Sequence, residues 1–139
     1  MHSSIGTLRY SERSFWMVVD IDQGIMDFYR ALIPKAIKTN RPLYPAHISV
    51  VRKETPTKTE FWLKRQGEKV EFQYSPIIHF GEIYAWLNVY CIRLEEIRQE
   101  LGLPLHRWAD NPPAPGFNQC FHITLGNFKI DKKTEDEEG

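Results

Sequence analysis

The chain has 139 residues, 42% of them apolar and 13% aromatic, which is enough to bury one sizeable core and excludes wholesale disorder. Eighteen basic residues balance eighteen acidic ones, so the net charge carries none of the basic excess that grips long nucleic acid, and small compact ligands fit better. Two cysteines, Cys91 and Cys120, do not make a disulfide scaffold, and Phe15–Val19 is far too short for a signal or spanning segment. The expectation is one cytoplasmic domain over residues 1–130, with no membrane partner.

In chain order, Met1–Ser4 is polar and expected to be loose, and Ile5–Tyr10 and Phe15–Ile21 are strand-like, the second rich in β-branched and aromatic residues. Asp22 is placed to cap a helix over Gly24–Lys38, with Ile25, Phe28, Tyr29, Leu32 and Ile33 at helical spacing and Pro34 set to end or kink it. Ala46–Val51 is expected as a buried strand and Thr59–Gln66 as a short helix. Lys69–Tyr74 alternates apolar with polar residues as a half-buried strand does, and Ile77–Phe80 with Tyr84–Cys91 suggests a hairpin. Leu94, Ile97 and Leu101 predict a helix over Ile92–Leu101, stopped by Gly102. The Pro-rich stretch Pro104–Gln119 is expected as a long loop, Cys120–Phe128 as a strand, and the acidic tail Asp131–Gly139 as disordered. The sum is an α+β fold with largely antiparallel sheets. No Gly-rich phosphate loop is present.

Two of the five histidines open one tetrapeptide pattern: His47-Ile48-Ser49-Val50 and His122-Ile123-Thr124-Leu125. From composition alone, two such matches arise in about 0.3% of shuffled chains, on the order of one in several hundred. Alternation along a strand puts His47 with Ser49, and His122 with Thr124, on one face above an apolar anchor. Two imidazoles and two hydroxyls suit phosphodiester cleavage. Histidine can take or give a proton near neutral pH, and hydroxyls can donate to non-bridging oxygens as charge builds. No metal or other cofactor is called for, since no cluster has ligand spacing.

Paired His-x-Ser/Thr motifs in a small α+β domain resemble the 2H phosphoesterase superfamily, which includes RNA-ligase-like cyclic phosphodiesterases. The resemblance implies a two-lobed fold with helices outside and a central cleft holding one motif from each lobe. It also implies metal-independent phosphodiester cleavage, with His47 and His122 as the catalytic histidines and Ser49 and Thr124 as phosphate-binding hydroxyls. Tyr29–Lys35, Tyr44–Arg52, Gly67–Phe72 and Phe121–Asn127 are similar to a phage branch that destroys cyclic di- and trinucleotide signals of bacterial CBASS defence. That branch implies attack by the adjacent 2′-hydroxyl on a 3′,5′ linkage. Some members close the site with a C-terminal acid and a Trp; no Trp follows His122 here, and Glu135, Glu137 and Glu138 are the acids available. The alternatives are 2′,5′- or 2′,3′-cyclic phosphodiester cleavage, or a sponge that holds a cyclic nucleotide uncut.

Nucleobases stack on aromatic side chains, and Tyr10, Trp16, Tyr44, Tyr84, Trp86 and Trp108 are candidates, Tyr10 and Trp86 foremost as substrate-binding residues. His79 and His106 lack the motif and are expected to be structural or on the surface. Arg52 lies three positions after Ser49, so simple alternation turns it to the opposite face. Lys35 and Arg41 are expected as solvated charges, and Cys91 and Cys120 as small apolar residues.

Overall fold

The structure, a computed structural model, describes residues 1–105 and 121–129. Most of the Pro-rich stretch, including His106 and Trp108, and also Cys120 and the acidic tail, lie outside the described residues.

The elements run β1 (His2–Tyr10), β2 (Met17–Asp20), α1 (Gln23–Leu32), β3 (His47–Val51), a 3-10 turn (Thr59–Phe61), β4 (Lys69–Tyr74), β5 (His79–Phe80), β6 (Tyr84–Tyr90), α2 (Ile92–Glu100) and β7 (Phe121–Asn127). Every pairing is antiparallel, in the order β4-β1-β2-β3-β7-β6, and pairing of β4 with β6 at Gln73–Tyr90 and Tyr74–Val89 closes six strands into a barrel. Strand β5 lies on the free part of β6's edge, at His79–Trp86 and Phe80–Ala85. The α+β, antiparallel expectation therefore holds.

A belt of apolar side chains explains the closure. Leu8 pairs with Val19, Val19 with Ile48, Ile48 with Ile123, and Ile123 with Leu87. All five are fully buried. Each contributes on the order of 1.5–3 kcal/mol by leaving water, and strand periodicity then forces their neighbours onto the outer face.

Helix α1 begins where expected: the Asp22 carboxylate accepts from the Gly24 amide at 2.9 Å. It ends at Leu32 rather than near Lys38, because Pro34 pushes the preceding Ile33 into extended backbone (φ −67°, ψ 128°). Its Ile25, Met26 and Tyr29 enter the core, and Arg30 Nη1 donates to the Leu125 carbonyl at 2.7 Å, tying the helix to β7. The predicted strand at the start of the chain extends back to His2, because the edge of β4 supplies backbone partners that composition does not reveal. The helix expected over Thr59–Gln66 shrinks to the 3-10 turn, with Leu63 left-handed at φ 70°. Gly102 stops α2 as expected: its φ is +75°, and an added Cβ would stand 1.9 Å from the Thr57 hydroxyl.

One irregularity reaches the site. Val18 pairs with Ser49 but Met17 pairs with Val51, so Val50 and Val51 together oppose one residue of β2 in a β-bulge. Both valines are buried. Arg98 of α2, 1% exposed, donates from Nη1 to the Val50 carbonyl at 2.7 Å, from Nε to the Pro104 carbonyl at 2.8 Å, and forks onto Glu54 at 2.9 and 2.8 Å. The bulge is held by a buried, paired guanidinium.

Candidate active site

The two motif strands are neighbours. Strands β3 and β7 meet at Ile48–Ile123. Counting one residue either way along an antiparallel pair sets His47 across from Thr124 and Ser49 across from His122. Opposed residues share a face at Cβ separations of about 4.5–5.5 Å. With Ile48 and Ile123 turned inward, His47, Ser49, His122 and Thr124 form a compact quartet on the outer face, related by a local two-fold through the isoleucine pair. His47, Ser49 and His122 are half-buried and Thr124 is 4% exposed.

The flanking strands complete this face. On β2, Asp20 pairs with His47 and Val18 with Ser49; on β6, Asn88 pairs with His122 and Trp86 with Thr124. Arg9 of β1 holds Asp20 in a two-bond ion pair at 2.7 and 3.0 Å. Tyr44, in the loop entering β3, packs edge-on to the His47 ring (centroids 6.5 Å apart, 76°) and to Trp16 (6.2 Å, 85°). One side of the quartet is thus walled by Trp16 and Tyr44 and the other by Trp86.

His47 has a defined tautomer. Its Nδ1 lies 2.7 Å from the Pro45 carbonyl, which can only accept, so Nδ1 carries the hydrogen and Nε2 offers its lone pair. Burial pushes its pKa below the usual imidazole value. The Pro45 bond and the Asp20 charge oppose that shift, while the Arg9 and Arg52 charges reinforce it. The ring is therefore biased toward the neutral, proton-accepting form.

Several expectations change here. Tyr10 is not part of this face: it shares parity with Leu8, is 5% exposed and packs edge-on against Trp62 in the core (4.9 Å, 86°). Arg52 is corrected in the other direction. The bulge uses up one step of alternation, so Arg52 returns to the side of Ser49, near enough for its charge to act on His47, and is 7% exposed. Trp16 and Tyr44 outrank Tyr10 as aromatic walls. Arg41 is a surface residue, paired with Asp27 at 2.7 Å, and Cys91 is a buried free thiol whose pKa burial raises.

No family model, curated protein or solved structure matches the chain. Among the described residues no three His, Cys, Asp or Glu side chains gather as metal ligands would, and no helix is long and apolar enough to cross a membrane.

Proposed function

We propose that the protein is a metal-independent phosphodiesterase of the 2H type that cleaves cyclic di- or trinucleotide signals of bacterial antiphage (CBASS) defence, with the cytoplasm as its place of action. The Ile48–Ile123 pairing carries the reading, because it brings two imidazoles and two hydroxyls, 75 residues apart in sequence, onto one face. The strands divide into β4-β1-β2-β3 and β7-β6-β5, joined at the β3–β7 seam and again where β4 meets β6. We read these halves as the two lobes of the superfamily and the quartet as the floor of its cleft.

In the proposed reaction His47 Nε2 takes the proton from the ribose 2′-hydroxyl as its oxygen attacks phosphorus. The P–O5′ bond breaks, and protonated His122 delivers a proton to the leaving 5′-oxygen. The product is a 2′,3′-cyclic phosphate end. Ser49 and Thr124 donate to the non-bridging oxygens, and Arg52 supplies positive charge beside them. The half-buried His47, whose burial lowers its pKa, suits the base.

The test is a substrate panel read by chromatography: cyclic dinucleotides, cyclic trinucleotides, 2′,5′-linked oligoadenylate and nucleoside 2′,3′-cyclic phosphates. At least one cyclic oligonucleotide is cut in the presence of chelator, and His47→Ala and His122→Ala each lower turnover by about 10³-fold or more while remaining folded. Cleavage of the other two classes alone moves the substrate assignment elsewhere in the superfamily, and stoichiometric recovery of intact, tightly bound ligand makes the protein a sponge. Turnover by both alanine variants at the parent rate refutes the mechanism.

A further inference from the structure

Beside the quartet, on β5 and β6, three side chains are locked together by a chain of donors and acceptors that has no part in the proton transfers above. Trp86 Nε1 lies 2.9 Å from Asn88 Oδ1, and Asn88 Nδ2 lies 3.2 Å from His79 Nε2. The assignment follows from the indole, whose N–H can only donate. The amide oxygen must face it, so the amide nitrogen faces His79 and donates there. His79 Nε2 must then accept, with its hydrogen on Nδ1. The same His79 ring lies flat on Trp86, with centroids 5.6 Å apart and planes 21° apart.

Both devices act on one ring. The Asn88 bond fixes the rotation of the indole, and His79 backs one of its faces. Gly81 closes against its benzo edge, where an added Cβ would stand 3.1 Å from Cζ3. Among the described residues His79 is the one aromatic ring in contact with the indole. Trp86 itself is half-buried and stands next to Thr124 in the ladder. With its N–H already engaged, the indole has only its π-surface to offer a ligand, and a bicyclic surface favours a bicyclic partner.

We propose that His79 and Asn88 are positioning residues that hold Trp86 as a stacking shelf for a purine base of the substrate, next to the phosphate-handling quartet. The assignment of that base to a nucleotide substrate rests on the phosphodiesterase reading; the shelf itself is tested without turnover.

The full chain is labelled with 5-fluorotryptophan, the Trp86 resonance is assigned through Trp86→Phe, and adenosine 5′-monophosphate is titrated. The Trp86 signal moves on addition of this probe, and cytidine 5′-monophosphate moves it only at higher concentration. His79→Ala weakens the adenosine monophosphate affinity about 5- to 10-fold, part of the worth of one stacked base, while His79→Phe returns it to within about twofold because a flat ring again backs the indole. In turnover, His79→Ala raises KM by a similar factor and leaves kcat within about twofold, whereas a merely structural role lowers kcat and melting temperature together. A Trp86 signal indifferent to the nucleotide, or parental affinity in His79→Ala, overturns the proposal. If the shelf behaves as described and no phosphodiester is cut, the phosphodiesterase reading falls and the shelf stands.

Discussion

Replacing Glu54 by Ala tests the link between the bulge and the site. Glu54 is the carboxylate partner of Arg98, whose guanidinium is 1% exposed and also serves the Val50 and Pro104 carbonyls. Removing it leaves a buried charge that its two backbone acceptors only partly satisfy. Breaking a buried pair in this way costs about 3–5 kcal/mol, a large share of the roughly 5–15 kcal/mol that holds a domain of this size together. At about 2–4 °C per kcal/mol the melting temperature falls by roughly 6–20 °C. The assay is urea and thermal unfolding of the parent, Glu54→Ala, Arg98→Met and the double variant. In the Arg98→Met background Glu54→Ala costs less than about 1 kcal/mol, because no charge remains to be stranded, which gives a coupling energy of about 2–4 kcal/mol. Well below its melting temperature, Glu54→Ala also loses turnover, since a loosened bulge lets Arg52 leave the His47 face. A single-variant loss under about 1 kcal/mol, or additive effects, would refute the clamp.

Three further outcomes follow from the site. Because burial depresses the His47 pKa, the unfolded chain binds that proton more readily than the folded one; stability relative to His47→Gln therefore rises with pH up to the ordinary histidine range near ~6.5 and falls as pH drops below it, as urea midpoints between pH 5 and 8 would record. Arg52→Gln removes a charge that opposes protonation of His47, so the acidic limb of kcat/KM moves to higher pH while the rate falls about 10- to 100-fold, and Arg52→Lys leaves the limb in place. Ser49→Ala and Thr124→Ala each lower kcat by about 10²-fold, the usual loss of one donor to a developing oxyanion, with equal effects expected from the two-fold arrangement; a tenfold or greater inequality between them would show that the two hydroxyls do not serve equivalent oxygens.

Much of this was legible in the chain because strand alternation is a local rule. The parity of His47 with Ser49, and of His122 with Thr124, needs only consecutive residues, and so does the inward turn of Ile48 and Ile123. Asp22 as a helix cap and Gly102 as a helix stop are equally local. Tyr10 differs because aromatic character alone does not say which face of β1 a ring takes, and parity with Leu8 sends this one inward. Arg52 differs for the opposite reason: alternation breaks at a bulge that exists only where β2 and β3 pair.

From composition and pattern alone came the mixed α+β class, the antiparallel strands and a pair of chemically matched motifs. Which strands are neighbours, and hence whether those motifs meet, is a non-local matter set by burial of the Leu8–Val19–Ile48–Ile123–Leu87 belt, and only the folded chain decided it. The same holds for the Trp16–Tyr44 wall, the recovered Arg52 and the His79–Asn88–Trp86 lock. The first two depend on pairing between strands or loops far apart in sequence, and the lock, though its residues span only 79–88, depends on the β5–β6 register that sets His79 beside Trp86; periodicity along one strand holds no information about the strand beside it.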